Sequence, residues 1–276
     1  MEDEQQISLE VFFVSDRTAI TAEALGRSLL TQFNQDDCHF TMLPYIDTEE
    51  KIAALIRQLE AAKNDTHQVI VFSTLASKPL RHQLRKGSFF VMDFFSTCLP
   101  PLQAAIHRHT SPRIGQTHGM GDHSHYLARM DAVNFTLNVD DGLRPKDYEE
   151  ADIILAGVSR SGKTPTCLYL AMQFGIRAAN YPLVDEDLDK GRLPAVLMPW
   201  KRKLYGLAID PVSLQKIRHS RMPDSRYSSI EQCRKEVRQV ESLFKQQRIP
   251  VVESSSMSVE ELATTLMQKA GLQRQF

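Results

Sequence analysis

Residues 151–165 read Ala151-Asp152-Ile153-Ile154-Leu155-Ala156-Gly157-Val158-Ser159-Arg160-Ser161-Gly162-Lys163-Thr164-Pro165. The apolar run Ala151 to Ala156 predicts a buried parallel strand. Gly157 to Thr164 then matches G-x-x-x-x-G-K-[ST] at every fixed position. The order has a physical basis. Glycines let the backbone curl tightly, so that successive N–H groups point inward at phosphate oxygens. A helix starting at the loop's end adds the positive end of its dipole. Lys163 brings a mobile charge for terminal phosphates, and the Thr164 hydroxyl is placed to hold Mg²⁺. Pro165 is tolerated in a first helical turn. A chance match in a chain of this length is on the order of 1%. The competing reading is a glycine-rich strand-to-helix turn that binds nothing. The strand before the loop and the helical pattern after it, from Pro165 to Phe174, favour the phosphate site: Gly157, Val158, Ser159, Arg160, Ser161, Gly162, Lys163 and Thr164.

The same alternation runs outward in both directions. Upstream, Leu9 to Val14 reads as a strand. A helix follows at Ala19 to Phe33, then another at about Thr48 to Lys63, then a strand at Val69 to Phe72. Downstream, Ala178 to Val184 and Leu204 to Ile209 read as strands, with a late one at Arg248 to Val252. Pro211 to His219, Ser229 to Gln247 and Ser258 to Lys269 read as helices. Ala132 to Val139 fits either a strand or a short amphipathic helix. Strand and helix in alternation predict an α/β fold with mostly parallel sheets. We expect an N-terminal α/β region over 1–110, a linker or functional loop over 111–144, and a phosphate-loop region over 145–276. The site belongs at the carboxyl ends of the second sheet's strands.

A metal-assisted phosphate site needs a carboxylate at a strand end. Asp210, after Leu204 to Ile209, is the first candidate, and Asp140, after Phe135 to Val139, is the second. Asp185, after Tyr181 to Val184, is the third. Each is equally readable as a turn cap, and Asp141-Gly142 in particular is a turn signal. Basic residues gather at Lys201-Arg202-Lys203 and at Arg218, His219, Arg221 and Arg226. They suit phosphate, an acidic partner, or simply a solvated helix face. His118, His123 and His125 lie in a Gly- and His-rich stretch without Cys or carboxylate at ligand spacing, which favours a polar loop over a metal site.

The 276 residues suffice for one large or two modest domains. A net charge of −1 argues against general nucleic-acid binding. The start Met1-Glu2-Asp3-Glu4 has neither the basic residues nor the apolar run of a secretory signal. Phe89 to Ile106 carries Asp93 and Pro100-Pro101, so no membrane span is expected. Cys38, Cys98, Cys167 and Cys233 are scattered and read as reduced thiols of a cytoplasmic protein.

Six segments carry a resemblance. They are VFFVSDRTAITAEALG from Val11, MDAVNFTLNVDDG from Met130, and GVSRSGKTPTCLYLAMQFGIRAANYPL from Gly157. KLYGLAIDP from Lys203, SRYSSIEQCRKEV from Ser225 and SVEELATTLM from Ser258 complete the set. With them the chain resembles, nearly end to end, the family of bacterial regulators of phosphoenolpyruvate synthase and of pyruvate, phosphate dikinase. The resemblance implies two opposed activities. One is an ADP-dependent serine/threonine protein kinase that phosphorylates a threonine of the target enzyme and switches it off. The other is a phosphorylase that removes the group with inorganic phosphate, releasing pyrophosphate. ADP, inorganic phosphate and Mg²⁺ are the implied co-substrates and cofactor. Overall closeness favours phosphoenolpyruvate synthase as protein partner over the dikinase. The oligomeric state is open, a homodimer included. On this reading Lys163 neutralises terminal phosphates and Thr164 holds the metal. Asp210 or Asp140 assists the metal or accepts the target hydroxyl's proton. Related sequences often carry a small residue where this chain has Arg17, so no close backbone role is carried over to that turn.

Other classes fit less well. A small-molecule phosphate-loop kinase would need an arginine-bearing lid, which the sequence does not offer. The Asn/Thr-Lys-x-Asp pattern that reads guanine is absent, as are the HRD and DFG motifs of conventional protein kinases.

Overall fold

The computed structural model describes residues 8–33, 37–64, 66–110 and 123–275. The chain divides into two compact units, Met1–Gly119 and Met120–Phe276.

The first unit is built on β1 (Ser8–Val14), β2 (Cys38–Leu43), β3 (His67–Ser73) and β4 (Phe90–Asp93), all parallel in the order β2-β1-β3-β4. Alternation along β1 builds two cores. Phe12 and Val14 pack with Ile52, Leu55 and Leu59 of α2 (Glu49–Ala62) and with Leu80 and Leu84 of α3 (Lys78–Leu84). Val11 and Phe13 face Ala22 and Leu30 of α1 (Ile20–Leu30) and Phe94 of α4 (Phe94–Ile106). Thr48 caps α2 by accepting from the Lys51 N–H, and Asp93 caps α4 by accepting from the Ser96 N–H. The turn after β1 is pinned at Asp16, whose carboxylate accepts from the Ala76 N–H at 2.8 Å. Arg17 in that turn is exposed, and its carbonyl accepts from the Tyr45 N–H.

The second unit opens with α5 (His123–Asn138) and carries β5 (Ile153–Gly157), β6 (Ala178–Pro182), β7 (Leu204–Ala208) and β8 (Val251–Glu253). Its sheet is also parallel, in the order β6-β5-β7-β8. The helices are α6 (Lys163–Phe174), the short α7 (Asp185–Asp189), α8 (Pro211–His219), α9 (Ile230–Gln247) and α10 (Val259–Ala270). Every residue of β5 is buried, as a central parallel strand requires. Ile153 and Leu155 join a core with Cys167 and Leu170 of α6 and Leu262 and Leu266 of α10. Ile154 and Ala156 join the other core, with Leu197, Val237, Val240 and Phe244. Each of these alternating pairs therefore meets a different helical layer, which fixes the register of β5.

The α/β reading holds, with two four-stranded parallel sheets. One boundary differs. Residues 123–142 were expected in a linker, yet they form α5 and a 3-10 turn (Asp140–Gly142) within the second unit. The reason is packing: Thr136 of α5 donates to the Ala178 carbonyl, and Ala132 and Val139 are buried. His118 and the side chains of His123 and His125 lie outside the described residues.

Candidate functional site

The loop 157–162 leaves β5 and delivers the chain into α6. Gly157 is required by space: a Cβ there would sit 2.6 Å from the Leu207 carbonyl oxygen and 2.9 Å from Ser161 Oγ. Gly162 is required by conformation, at φ 89°, as the cap of α6. Arg160 also has positive φ, 74°. A non-glycine residue held there stores strain of order 1–3 kcal/mol, a cost tolerated mainly at functional sites. Ser161 is buried, and its hydroxyl has no hydrogen-bond partner among the described residues. A buried polar atom without a partner is costly unless a ligand or water meets it.

Lys163 is buried at the start of α6 and donates to the Val158 carbonyl at 2.8 Å, folding its ammonium back over the loop. Burial pulls its pKa down to about 8, against the opposing pull of Asp141 and Asp140. Thr164 donates its hydroxyl to Asp140 Oδ1 at 2.9 Å. Asn180, fully buried on β6, donates to the same Asp140 oxygen at 2.5 Å. Its amide oxygen accepts from the Asp141 N–H at 3.2 Å. One asparagine therefore holds both aspartates of the 3-10 turn, and Asp141 adopts φ 48° there. Tyr148 fixes Asn180 in turn by donating to its carbonyl at 2.9 Å.

A cavity of about 430 Å³ spreads over this loop. Residues 159–165 form its floor, Asp141 stands at its edge, and Ile209, Ser254 and Met257 follow the ends of β7 and β8. It thus lies at the carboxyl ends of the strands.

Sequence-predicted residues divide sharply here. Asp140 meets Thr164. Asp210 does not: its carboxylate accepts from the Val212 and Ser213 N–H groups and caps α8. The Ser213 hydroxyl first, and then the Ser213 N–H, hold its pKa below the usual carboxylate value. Its strand-end position suited a metal ligand, but the N–H groups of the helix that follows take its Oδ1. Asp185 likewise turns away, with both oxygens taking the Gln232 amide. Asp141, read only as a turn signal, is exposed on the cavity edge. The sequence signal for it was the pair Asp140-Asp141 itself: one carboxylate is held, and the next is free to face solvent.

Arg218, one of the basic residues open to a phosphate, an acidic partner or a solvated face, is fully buried. Its guanidinium grips Glu236 through two hydrogen bonds, at 3.0 and 2.7 Å, and donates to the Ser159 carbonyl at 3.1 Å. A further bond reaches the Tyr227 carbonyl, and the ring of Tyr227 lies 4.1 Å from the guanidinium. The loop's first turn is therefore tied to α8 and α9.

The family model described as kinase/pyrophosphorylase matches residues 11–267. The chain belongs to the kinase/pyrophosphorylase family. Similar relatives span its whole length. A protein of Pseudomonas putida strain W619 is 49% identical over 266 residues, 96% of this chain and 98% of the relative. One of Pseudomonas fluorescens strain Pf-5 matches with the same identity and coverage. One of Pseudomonas aeruginosa strain LESB58 is 47% identical over 272 residues, 98% of this chain and 99% of the relative. All three carry the provisional name phosphoenolpyruvate synthase regulatory protein. Thr164 Oγ1 and Asp140 Oδ1 meet at 2.9 Å, two oxygen donors of the kind that Mg²⁺ takes. Among the described residues no three His, Cys, Asp or Glu converge as a metal cluster, so such an ion would be shared with phosphate oxygens. No described helix is long and apolar enough to cross a membrane.

Proposed function

We propose that this protein is a bifunctional regulator of phosphoenolpyruvate synthase. It transfers the β-phosphate of ADP to a threonine of that enzyme, releasing AMP, and it removes the group with inorganic phosphate, releasing pyrophosphate. The observation that carries the reading is the glycine loop, with a buried lysine and a threonine–aspartate pair at its exit, in a chain that matches its relatives nearly end to end.

The chemistry follows from the groups. Loop N–H groups and the start of α6 bind a β-phosphate or an inorganic phosphate in the same cradle. Lys163 neutralises charge on the transferring group. Thr164 and Asp140 would hold Mg²⁺, which supplies further charge neutralisation to the phosphates. Asp141, exposed beside the cradle, accepts the proton of the threonine hydroxyl in the forward direction. In reverse it returns a proton to the threonine oxygen as inorganic phosphate displaces it. Positioning and electrostatics carry most of the catalysis in such transfers. Tight connection of the loop through Arg218 keeps the cradle rigid.

The test is transfer to purified phosphoenolpyruvate synthase from β-labelled ADP and from γ-labelled ATP. Label from ADP on a threonine, released as pyrophosphate on adding phosphate, is the expected result. Label from ATP alone would overturn the donor assignment.

A further inference from the structure

We infer that the apolar side chains lining the cavity over the phosphate loop hold the base of the donor nucleotide. Ile209, Ile217, Met257, Val259 and Leu262 would form that base site, with Arg221 beside it. The inference rests on the phosphate-loop reading and adds where the rest of the nucleotide goes.

Two kinds of side chain line the cavity. One set is the loop, Lys163 and Thr164, with the unpartnered, buried Ser161 hydroxyl. The other is five aliphatic or thioether side chains from the β7 end, α8, the β8–α10 connection and α10, of which Ile209 and Leu262 are buried and anchor the wall in the core. Two of them are surface residues: Ile217 is 42% exposed and Met257 38%. Partly exposed apolar side chains that converge on a phosphate cradle suit a flat, hydrophobic ring. Methionine fits this use, because its thioether is polarizable and adapts to aromatic faces. Arg221 has no ion-pair partner among the described residues and lines the same cavity. A guanidinium there can stack on a base or meet an α-phosphate. The volume, about 430 Å³, suits a nucleotide-sized ligand.

A second cavity, about 500 Å³, touches the loop only at Ser159. Its lining sets Asp185, Glu186 and Glu236 against Arg218 and Arg226, with Leu183 and Val184 as the aliphatic wall. Lys163 and Thr164 line only the first cavity, so a nucleotide whose phosphates they hold extends along that one. The two cavities therefore give opposite expectations for neutral substitutions.

Binding of ADP and of inorganic pyrophosphate, each measured by calorimetry, separates the cases. The Ile217→Gln/Met257→Gln double variant changes no charge and alters partly exposed positions. It should weaken ADP at least tenfold and leave pyrophosphate within about twofold. Val184→Gln, in the second cavity, should change neither. Unchanged ADP affinity in the double variant, or ADP weakened by Val184→Gln, would overturn the assignment. So would equal weakening of both ligands in the double variant, since the residues would then support the loop and not the base. If wild-type protein bound neither ligand, the phosphate-loop reading itself would fall, a different failure from the others.

Discussion

Asp141 and Asp210 show how residue-level context decides chemistry. Both are aspartates at the ends of elements. Two backbone N–H groups engage one oxygen of the Asp210 carboxylate at the start of α8, whereas Asp141 lines the cavity with Lys163. Asp141→Asn should therefore lower phosphoryl transfer by roughly 10²–10⁴ while leaving ADP affinity nearly unchanged, the signature of a lost general base. Asp210→Ala should leave the transfer rate within about threefold and cost about 1 kcal/mol of stability, the ordinary cost of a lost helix cap. Single-turnover kinetics and thermal melts distinguish the two. Lys163 gives a second residue-scale expectation. Burial lowers its pKa from 10.5 to about 8. Between those values the unfolded chain binds the extra proton, so stability rises with pH across that window. The penalty is fully present below about 8, and amounts to about 3 kcal/mol. Melts of wild type against Lys163→Met from pH 7 to pH 10.5 should show wild type gaining on the variant. Pyrophosphate affinity should fall as pH rises through about 8, because the ammonium that meets the anion is being lost.

At the scale of elements, the sequence was most readable where local signals agree. Pro211 to His219 appears as read, because Asp210 caps it and Pro211 starts it. Thr48, Ser229 and Ser258 likewise cap the helices read from them. β2 was missed, since half-exposed Cys38–Leu43 at a sheet edge carries no continuous apolar run. α4 was missed for the opposite reason: its apolar sequence holds Pro100 and Pro101, which ordinarily argue against a helix. The role of Arg218 could not be read at all, because its partner Glu236 lies 18 residues away on another helix. This buried ion pair ties α8 and α9 to the loop. Glu236→Ala leaves an uncompensated buried guanidinium, so a loss of about 3–5 kcal/mol is expected in chemical denaturation. Stability unchanged by that substitution would mean that solvent reaches Arg218.

Across the whole molecule, two sheets with separate cores divide the chain, and the candidate site belongs to the second unit. The loop from Gly157 to Thr164 was legible because its chemistry is local and contiguous. Asp141, Asn180 and the apolar wall were not, because strand order β6-β5-β7-β8 brings them together from distant segments. On the proposed function, one phosphate cradle serves both opposed reactions. Lys163→Met, assayed in both directions on phosphoenolpyruvate synthase under conditions where it is folded, probes that sharing. ADP-dependent phosphorylation and phosphate-dependent dephosphorylation should both fall by more than about a hundredfold, as expected when a transition-state charge contact is removed. Survival of either activity at near wild-type rate would rule out a shared cradle and require a second site.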